Sequence, residues 1–252
     1  MSVHQKYWLL LLPMLFLSRI SFGQASIQGK VVDSSSGKPI PGVNVYLSGT
    51  TFGRSTDKNG NYKITLSAQG RYNLVFSFLG YRKQVHSVEL QPSSAITINA
   101  EMREKVVKLN ELRVTASNEK WKKRYAFFFD QFIGKSHYAK SVTVENPWVL
   151  NFSEHKGNLI AKAKAPLIVI NNALGYKLHV ELVQFKWPLK RDWGGIYKML
   201  AHYEPLSTDD DALRLQWMKN RLKNYLGSST HFLKTLYHGD IKKSNFHILI
   251  FI

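Results

Sequence analysis

Residues 27–101 alternate apolar and polar positions in short runs that are separated by turn residues. In one run Val43, Val45 and Leu47 lie on one side and Asn44 and Tyr46 on the other, which is the period of a strand with one buried face. The same pattern predicts strands at residues 27–32, 43–47, 53–56, 62–67, 72–78, 83–88 and 96–101. Short sheets with one apolar side must pack face to face to bury it, so these strands predict a small antiparallel β-sandwich.

From about residue 119 the pattern mixes helical and strand periods. Residues 121–133 place Tyr125, Phe128, Phe129 and Phe132 at helical spacing. Strands are predicted at residues 149–152, 159–163, 167–171 and 177–186. In the last of these, we expect one face to carry Leu178, Val180, Leu182 and Gln184, and the other His179, Glu181, Val183 and Phe185. The fold is therefore predicted as mainly β, with the sandwich followed by an α+β region.

A second helix is predicted from the acids after Ser207 to about Tyr225. A hydroxyl residue followed by Asp209, Asp210 and Asp211 is a helix-start signal, because hydroxyls cap the first turn and acids complement the helix dipole. We expect this helix to turn four apolar residues toward a core: Leu213, Trp217, Leu222 and Leu226. A short helix is predicted over residues 230–237.

These elements predict four segments along the chain: a signal peptide at 1–23, a β-sandwich at 24–103, a linker at 104–118 and the α+β region at 119–252. The apolar run of residues 7–17 is too short for a stable membrane span, and small residues at Ser21 and Gly23 indicate cleavage before Gln24. An uncleaved anchor is the alternative. No later run has the length of a transmembrane helix. The apolar run at 246–252 indicates a terminal core strand or a broken reading frame, and we favour the broken frame.

Composition adds two constraints. The chain has no cysteine, which excludes disulfides, cysteine nucleophiles and a lipoprotein anchor. Its formal net charge is +18, and most of the excess lies after residue 105. Such a charge suits anionic lipid, acidic glycan or nucleic acid, although scattered lysines are also typical of a solvated surface.

Five motifs in the first region resemble the carboxypeptidase regulatory-like domain, a transthyretin-like sandwich of exported Bacteroidetes proteins. They are the Gly-x-Val-x-Asp opening at 29–33, the Pro-x-x-Gly-Val strand start at 39–43, the Gly-Thr pair at 49–50, the Thr-Asp-x-x-Gly-x-Tyr turn at 56–62 and the Gly-Tyr pair at 80–81. The fold-defining residues would be Gly42, Asp57, Gly60, Tyr62 and Gly80. Glycine permits positive φ, Asp57 can bond its own turn, and Tyr62 supplies a large apolar ring.

The resemblance implies a non-catalytic accessory module. The same module is found at the N-terminus of TonB-dependent outer-membrane receptors, and residues 109–116 look like the segment that precedes their plug domain. The glycine-rich patterns of that plug are absent from residues 119–252. The latter region resembles uncharacterised envelope proteins, for which no mechanism is implied.

Metal sites have weak sequence support. His86 and Glu89 have the spacing of a zinc pair, but residues three apart on a strand point to opposite faces. Asp57 begins half of a calcium loop whose expected Glu is replaced by Ala68, so a turn role is favoured. Asp209, Asp210 and Asp211 already have a helix-start role. We predict no cofactor and no metal.

A contact patch is predicted where indoles and cations alternate, at Trp187, Lys190, Arg191 and Trp193. Indole rings can stack on sugars and the cations can meet acidic groups, so an envelope protein, a glycan or a lipid headgroup is the expected partner. The alternative is that both tryptophans pack in the core. Residues 217–225 also interleave basic and aromatic side chains, but nucleic acid is an unlikely partner for an exported protein.

Three functions remain open. The favoured one is an exported, non-enzymatic envelope protein with a recognition or scaffold domain, located in the periplasm or at the outer membrane. The first alternative is a component or fragment of a TonB-dependent receptor. The second is an accessory part of a zinc carboxypeptidase.

Overall fold

The computed structural model describes residues 24–67, 69–105, 119–191, 194–241, 244 and 246. These residues form a mainly β structure with three helices, as the mainly β prediction requires. They group into two compact units, one from the described residues of 1–46 and 52–105, the other from those of 47–51 and 106–252. The predicted signal peptide and residues 106–118 of the predicted linker lie outside the described residues. No helix in the described part of the chain is long and apolar enough to cross a membrane.

The first unit contains two four-stranded sheets. Its strands are β1 Ala25–Asp33, β2 Asn44–Leu47, β3 Gly53–Ser55, β4 Asn61–Leu66, β5 Gly70–Ser77, β6 Gln84–Leu90, β7 Ala95–Thr97 and β8 Ala100–Met102. One sheet has the order β4-β1-β7, with β8 also paired to β1, and the other has the order β3-β2-β5-β6. The predicted strand at 96–101 is divided into β7, which pairs with Ser26–Gln28 of β1, and β8, which pairs with Val31–Asp33. On β2, Tyr46 is 3% exposed, so the prediction that this strand buries only one face is wrong.

The two sheets of the first unit pack face to face. On β4, Tyr62, Ile64 and Leu66 are buried and alternate with exposed residues. The Tyr62 ring meets Phe76 of the other sheet edge-on, with 5.6 Å between ring centroids. Leu74 and Val75 are neighbours on β5 and both are fully buried, so this strand is covered on both faces at its centre. A β-sandwich follows from this packing.

The second unit contains one six-stranded sheet and three helices among its described residues. Its elements are α1 Glu119–Ile133, β9 Val142–Val144, β10 Leu150–His155, β11 Asn158–Ala163, β12 Leu167–Asn171, β13 Tyr176–Pro188, β14 Ile196–Pro205, α2 Asp211–Tyr225 and α3 Ser229–His238. Short 3₁₀ helices occupy His137–Ser141 and Pro147–Val149. The prediction missed β9, which is three residues long, and β14, whose apolar residues do not alternate with polar ones.

The long strand β13 organises this sheet. It pairs with β14 along its length, while its other edge pairs with β12 in the first half and with β11 at the end. The register shifts between Leu182 and Gln184, and this β-bulge changes which residues face the core. Phe185 is 1% exposed and Val183 is 51% exposed. The predicted alternation, which placed Gln184 with Leu178 and opposite Phe185, is therefore wrong beyond the bulge.

Helix α1 covers the core of the second unit. Phe128 is fully buried, and its ring centroid lies 4.7 Å from that of Phe185 and 5.8 Å from that of Phe152. The Trp121 indole N–H donates to the Leu150 carbonyl at 3.1 Å. The aromatic spacing that predicted this helix therefore corresponds to its buried face.

Helix α2 begins as predicted but buries less than predicted. Its N-cap is Asp210, whose carboxylate accepts from the amides of Ala212 and Leu213, so an acid and not a hydroxyl caps the helix. Trp217 is 7% exposed and is its one buried residue. The prediction that Leu213, Leu222 and Leu226 face a core is wrong: they are 39%, 59% and 53% exposed.

Candidate functional site

The motif residues of the first unit bond to one another. The Asp33 carboxylate, at the end of β1, accepts the amide and hydroxyl of both Ser35 and Ser36 through Oδ1. Its Oδ2 accepts the Tyr81 hydroxyl at 3.1 Å. The serine hydroxyls and the Ser36 amide, with a smaller contribution from Tyr81, hold the pKa of Asp33 well below its usual range. The motifs at 29–33 and 80–81 therefore meet, although they are far apart in sequence.

The motifs at 39–43 and 56–62 meet in the same way. The buried Thr56 hydroxyl accepts the Val43 amide at 2.9 Å and donates to the Ile40 carbonyl at 2.7 Å. Next to it, Asp57 Oδ1 accepts the amides of Asn59 and Asn61, each at 2.8 Å. These bonds, that of Asn61 first, lower the Asp57 pKa. Asp57 thus closes a turn through its side chain.

Four further motif residues, which are Gly42, Gly60, Tyr62 and Gly80, have environments that suit their residue types. Gly60 has φ +76°, and a Cβ there would lie 2.5 Å from the Val31 carbonyl oxygen. The Tyr62 hydroxyl donates to the Ile98 carbonyl at 2.7 Å, and burial raises the Tyr62 pKa. Gly42 and Gly80 have φ +75° and +84°, which favour glycine.

The suggested zinc pair is not assembled. On β6, Glu89 is exposed and its carboxylate accepts the Arg71 Nε–H at 3.1 Å. His86 lies on the other face, with its ring 5.5 Å from Phe76 and its Nε2 3.2 Å from the Gln84 side-chain oxygen. No cluster of three potential metal ligands occurs among the described residues.

The predicted contact patch divides into a packed indole and exposed cations. Trp187 is half-buried and stacks on Phe185, with 6.0 Å between ring centroids. A Cβ on Gly195 would lie 1.9 Å from the Trp187 ring, so glycine is needed for this close approach. Lys190 and Arg191 are exposed just after β13. Trp193 lies outside the described residues.

Helix α2 is attached to the turn between β12 and β13 by side-chain hydrogen bonds that were not predicted from the sequence. Three side chains spaced i, i+3 and i+4 donate to four consecutive carbonyls: Trp217 to Asn172, Asn220 to Ala173, and Arg221 to Leu174 and Gly175, at 2.7–2.9 Å. The Arg221 guanidinium also lies 4.0 Å from the centroid of the Tyr176 ring. The helical spacing was visible in the sequence, but the carbonyls that receive these bonds were not.

Two adjoining depressions lie beside this helix. The first, which we call the chamber, has a volume of about 290 Å³ and is lined mainly by apolar residues, including Phe132, Val142, Leu178 and Met199. The second, which we call the cationic rim, is lined by His137, Gln216, Lys219, Asn220 and Lys223. Tyr138 lines both. This site has no signature in the sequence, since its walls come from α1, a 3₁₀ helix, strands of the sheet and α2.

Residues 27–114 match the family model of the CarboxypepD_reg-like domain, so the chain carries this domain. The resemblance derived from the five motifs is thereby confirmed. The chain is also similar to part of the TonB-dependent receptor SusC of Bacteroides thetaiotaomicron, with 35% identity over 102 residues. A second similar protein is the TonB-dependent receptor P39 of Formosa agariphila, with 34% identity over 93 residues.

These similarities cover limited parts of the proteins compared. The match to SusC spans 40% of this chain and 10% of the receptor, and the match to P39 spans 36% and 9%. Among solved structures, a chain of a type II cohesin–X-dockerin complex from Acetivibrio cellulolyticus aligns over 30% of this chain and 52% of its own, with 24% identity and a TM-score of 0.26. That structural likeness is too low to bear on function.

Proposed function

We propose that this chain is an exported cell-envelope protein whose CarboxypepD_reg-like domain is a non-catalytic recognition or scaffold module. The observation that carries the proposal is that the polar side chains of its motif residues form hydrogen bonds within the domain. Asp33, Thr56, Asp57 and Tyr62 direct their polar atoms to turns and strands of the same unit. Groups engaged in this way hold a fold together and are poorly placed to act on a substrate. In this proposal the sandwich is of the transthyretin-like type.

The envelope location is supported by the similarity to outer-membrane receptors and by the apolar run at residues 7–17. The test is expression of the tagged chain in a Bacteroidetes host, followed by cell fractionation and sequencing of the mature N-terminus. We expect an envelope fraction that begins at Gln24. A Leu11→Arg variant, which interrupts the apolar run, is the matched control and should stay in the cytosol. Wild-type chain that keeps Met1 and stays in the cytosol would overturn the proposal.

The zinc carboxypeptidase alternative is tested on the same purified protein. Metal analysis and hydrolysis of C-terminal residues from peptides are measured for the wild type and for His86→Ala. The proposal expects equal, background values for both proteins, because the His86 and Glu89 side chains lie on opposite faces of β6. Stoichiometric zinc and activity that disappear in His86→Ala would instead establish the enzyme.

The proposed partner surface consists of the exposed cations Lys190 and Arg191, while the nearby Trp187 stacks on Phe185. An acidic glycan, a lipid headgroup or an acidic envelope protein would suit these charges. Binding of the wild type and of Lys190→Glu/Arg191→Glu to an acidic glycan array and to anionic vesicles would test it. Equal binding by both proteins would remove this surface from the proposal.

A second candidate function is that of a component or fragment of a TonB-dependent receptor. The 35% identity to SusC favours it. Reading the coding DNA beyond the codon for Ile252 in all three frames discriminates between the candidates. A continuing frame with receptor similarity would favour the second candidate, and unrelated sequence would favour the first.

A further inference from the structure

We propose that the second unit binds a small amphipathic anion, such as a medium-chain carboxylate. Its apolar part would occupy the chamber and its anionic group would lie against Lys219 and Lys223 of the cationic rim. The proposal concerns a site in the α+β part of the chain and does not depend on the proposed role of the first unit.

The chamber suits an apolar group. It is lined by α1, by the 3₁₀ helix His137–Ser141 and by strands of the sheet, and its side chains are mostly aliphatic or aromatic. Its volume of about 290 Å³ is at the small end of ligand pockets, which run from about 300 to 1,000 Å³. Such a space fits one short chain or one ring and is too small for a phospholipid with two acyl chains.

The cationic rim supplies the opposite chemistry. Lys219 and Lys223 are one helical turn apart on α2, and both line the rim. No carboxylate lines this depression in the described part of the chain. Side-chain amides of Gln216 and Asn220 and the His137 ring complete the polar wall. Two ammonium groups without an acid in the wall favour an anion over a cation or a neutral polar group.

The two depressions are joined in a way that matches one ligand. Tyr138 lines both, and neighbours in sequence divide between them: Ser141 with Val142, and Lys223 with Asn224. A molecule with an apolar end in the chamber can therefore place its head at the rim. Pockets of this composition, apolar with few convergent polar groups, are typical ligand sites.

The hydrogen bonds between α2 and the turn after β12 hold the cationic rim in position. Asn220 donates to the Ala173 carbonyl at 2.7 Å, and Trp217 donates to Asn172 at 2.8 Å from the preceding helical turn. In sequence, Lys219 lies between these two anchored residues, and Lys223 follows Asn220 by three positions. Their backbone positions are thus fixed before a ligand arrives, which reduces the entropy that binding costs.

The test is calorimetric titration of the full chain with sodium octanoate and, separately, with 1-octanol. We expect octanoate to bind more tightly than octanol, and the octanoate affinity to fall as salt rises, because the lysines are exposed. Lys219→Gln/Lys223→Gln should weaken octanoate about tenfold and leave octanol unchanged. Lys123→Gln, an exposed lysine of α1 that does not line either depression, is the matched control. Equal affinity for octanoate in the double variant and the wild type would overturn the placement of the carboxylate against Lys219 and Lys223.

Ala139→Phe tests the chamber, since Ala139 lines it and a phenyl ring would fill it. We expect this variant to lose binding of both ligands while keeping the wild-type melting temperature. A site-specific readout that needs no variant is the methyl NMR signal of Met199, which also lines the chamber. Octanoate should shift this signal over the same concentration range in which calorimetry detects binding. An unshifted Met199 signal, or no heat with octanoate, would overturn the proposal.

Discussion

Single side chains in the first unit form hydrogen bonds that connect distant parts of its sequence. Asp33 and Tyr81 are 48 positions apart, and Tyr62 and Ile98 are 36 apart, yet each pair shares a hydrogen bond. The cost of leaving such a group buried and unpaired exceeds the gain from making the bond. Substitution of one of these side chains should therefore lower the stability of the fold, and any effect on partner binding should be secondary.

The Asp33 bonds predict an acid-sensitive contribution to stability. Its pKa is lower in the folded state than in the unfolded chain, so this contribution is present above the unfolded value, near 3.8, and is lost as the pH falls below it. We expect Asp33→Asn to be clearly less stable than the wild type at pH 7, and the difference to shrink at pH 3. Urea unfolding at the two pH values measures this. Glu101→Gln, at an exposed position of β8, is the control and should match the wild type. An Asp33→Asn deficit that is the same at both pH values would contradict the argument.

Glycines allow a matched comparison of turn geometry at the residue scale. Gly60 and Gly37 have φ +76° and +69°, but only at Gly60 would a Cβ meet the backbone, at 2.5 Å from the Val31 oxygen. Each change to Ala should cost about 1–2 kcal/mol for the left-handed conformation. Gly60→Ala should cost more, because the Val31 carbonyl must also move. Thermal melts of the two variants test this, and equal losses would show that the contact relaxes freely.

At the scale of elements, the second unit depends on helices that attach by different means. Helix α1 packs through aromatic rings, whereas α2 attaches mainly through hydrogen bonds to one turn and through Trp217. The exposed leucines of α2 contribute little to this attachment. Loss of the turn contact should therefore release α2 without unfolding the sheet.

Gly175→Ala tests that expectation. A Cβ there would lie 2.2 Å from the Trp217 ring, and Gly175 has φ +64°. We expect faster amide exchange in Asp211–Tyr225 and an emission shift of Trp217 toward the exposed state, with the sheet still protected. Gly157→Ala is the control, since Gly157 has φ +73° and no atom within 4 Å of the added Cβ. Unchanged amide exchange in α2 would show that the close contact between Gly175 and the Trp217 ring does not hold the helix in place.

At the scale of the whole molecule, each unit has a hydrophobic core of its own. The core of the second unit includes Phe128 and Phe185, while Phe76 is fully buried in the first. Truncation of a buried phenylalanine to Ala costs about 3–5 kcal/mol. We expect Phe128→Ala to raise amide exchange in the second unit and Phe76→Ala to raise it in the first.

Hydrogen exchange with mass spectrometry distinguishes these two patterns, because it reports on each segment separately. The two variants control for each other, since they remove the same side chain from different cores. If either variant raised exchange equally throughout both units, the chain would unfold as one cooperative body and not as two.

The sequence by itself determined the local elements and the family of the first unit. Period-two alternation, turn residues and the motifs at 29–33 and 56–62 depend on neighbours along the chain, so they can be read without coordinates. Helix α1 was predicted for the same reason, from aromatic residues at helical spacing. The start of α2 was predicted too, although its cap is Asp210 and not a hydroxyl.

Only the tertiary structure decided which residues meet across the chain. The bulge after Leu182 moved Phe185 into the core, and the turn before Gly175 became the attachment point of α2. The chamber likewise exists only where α1, the 3₁₀ helix and the sheet adjoin. Long-range pairing depends on packing and on satisfying buried polar groups, and neither leaves a periodic signal in sequence. For that reason the sequence showed what kind of domain residues 27–114 form, whereas the walls of the chamber became visible only in the structure.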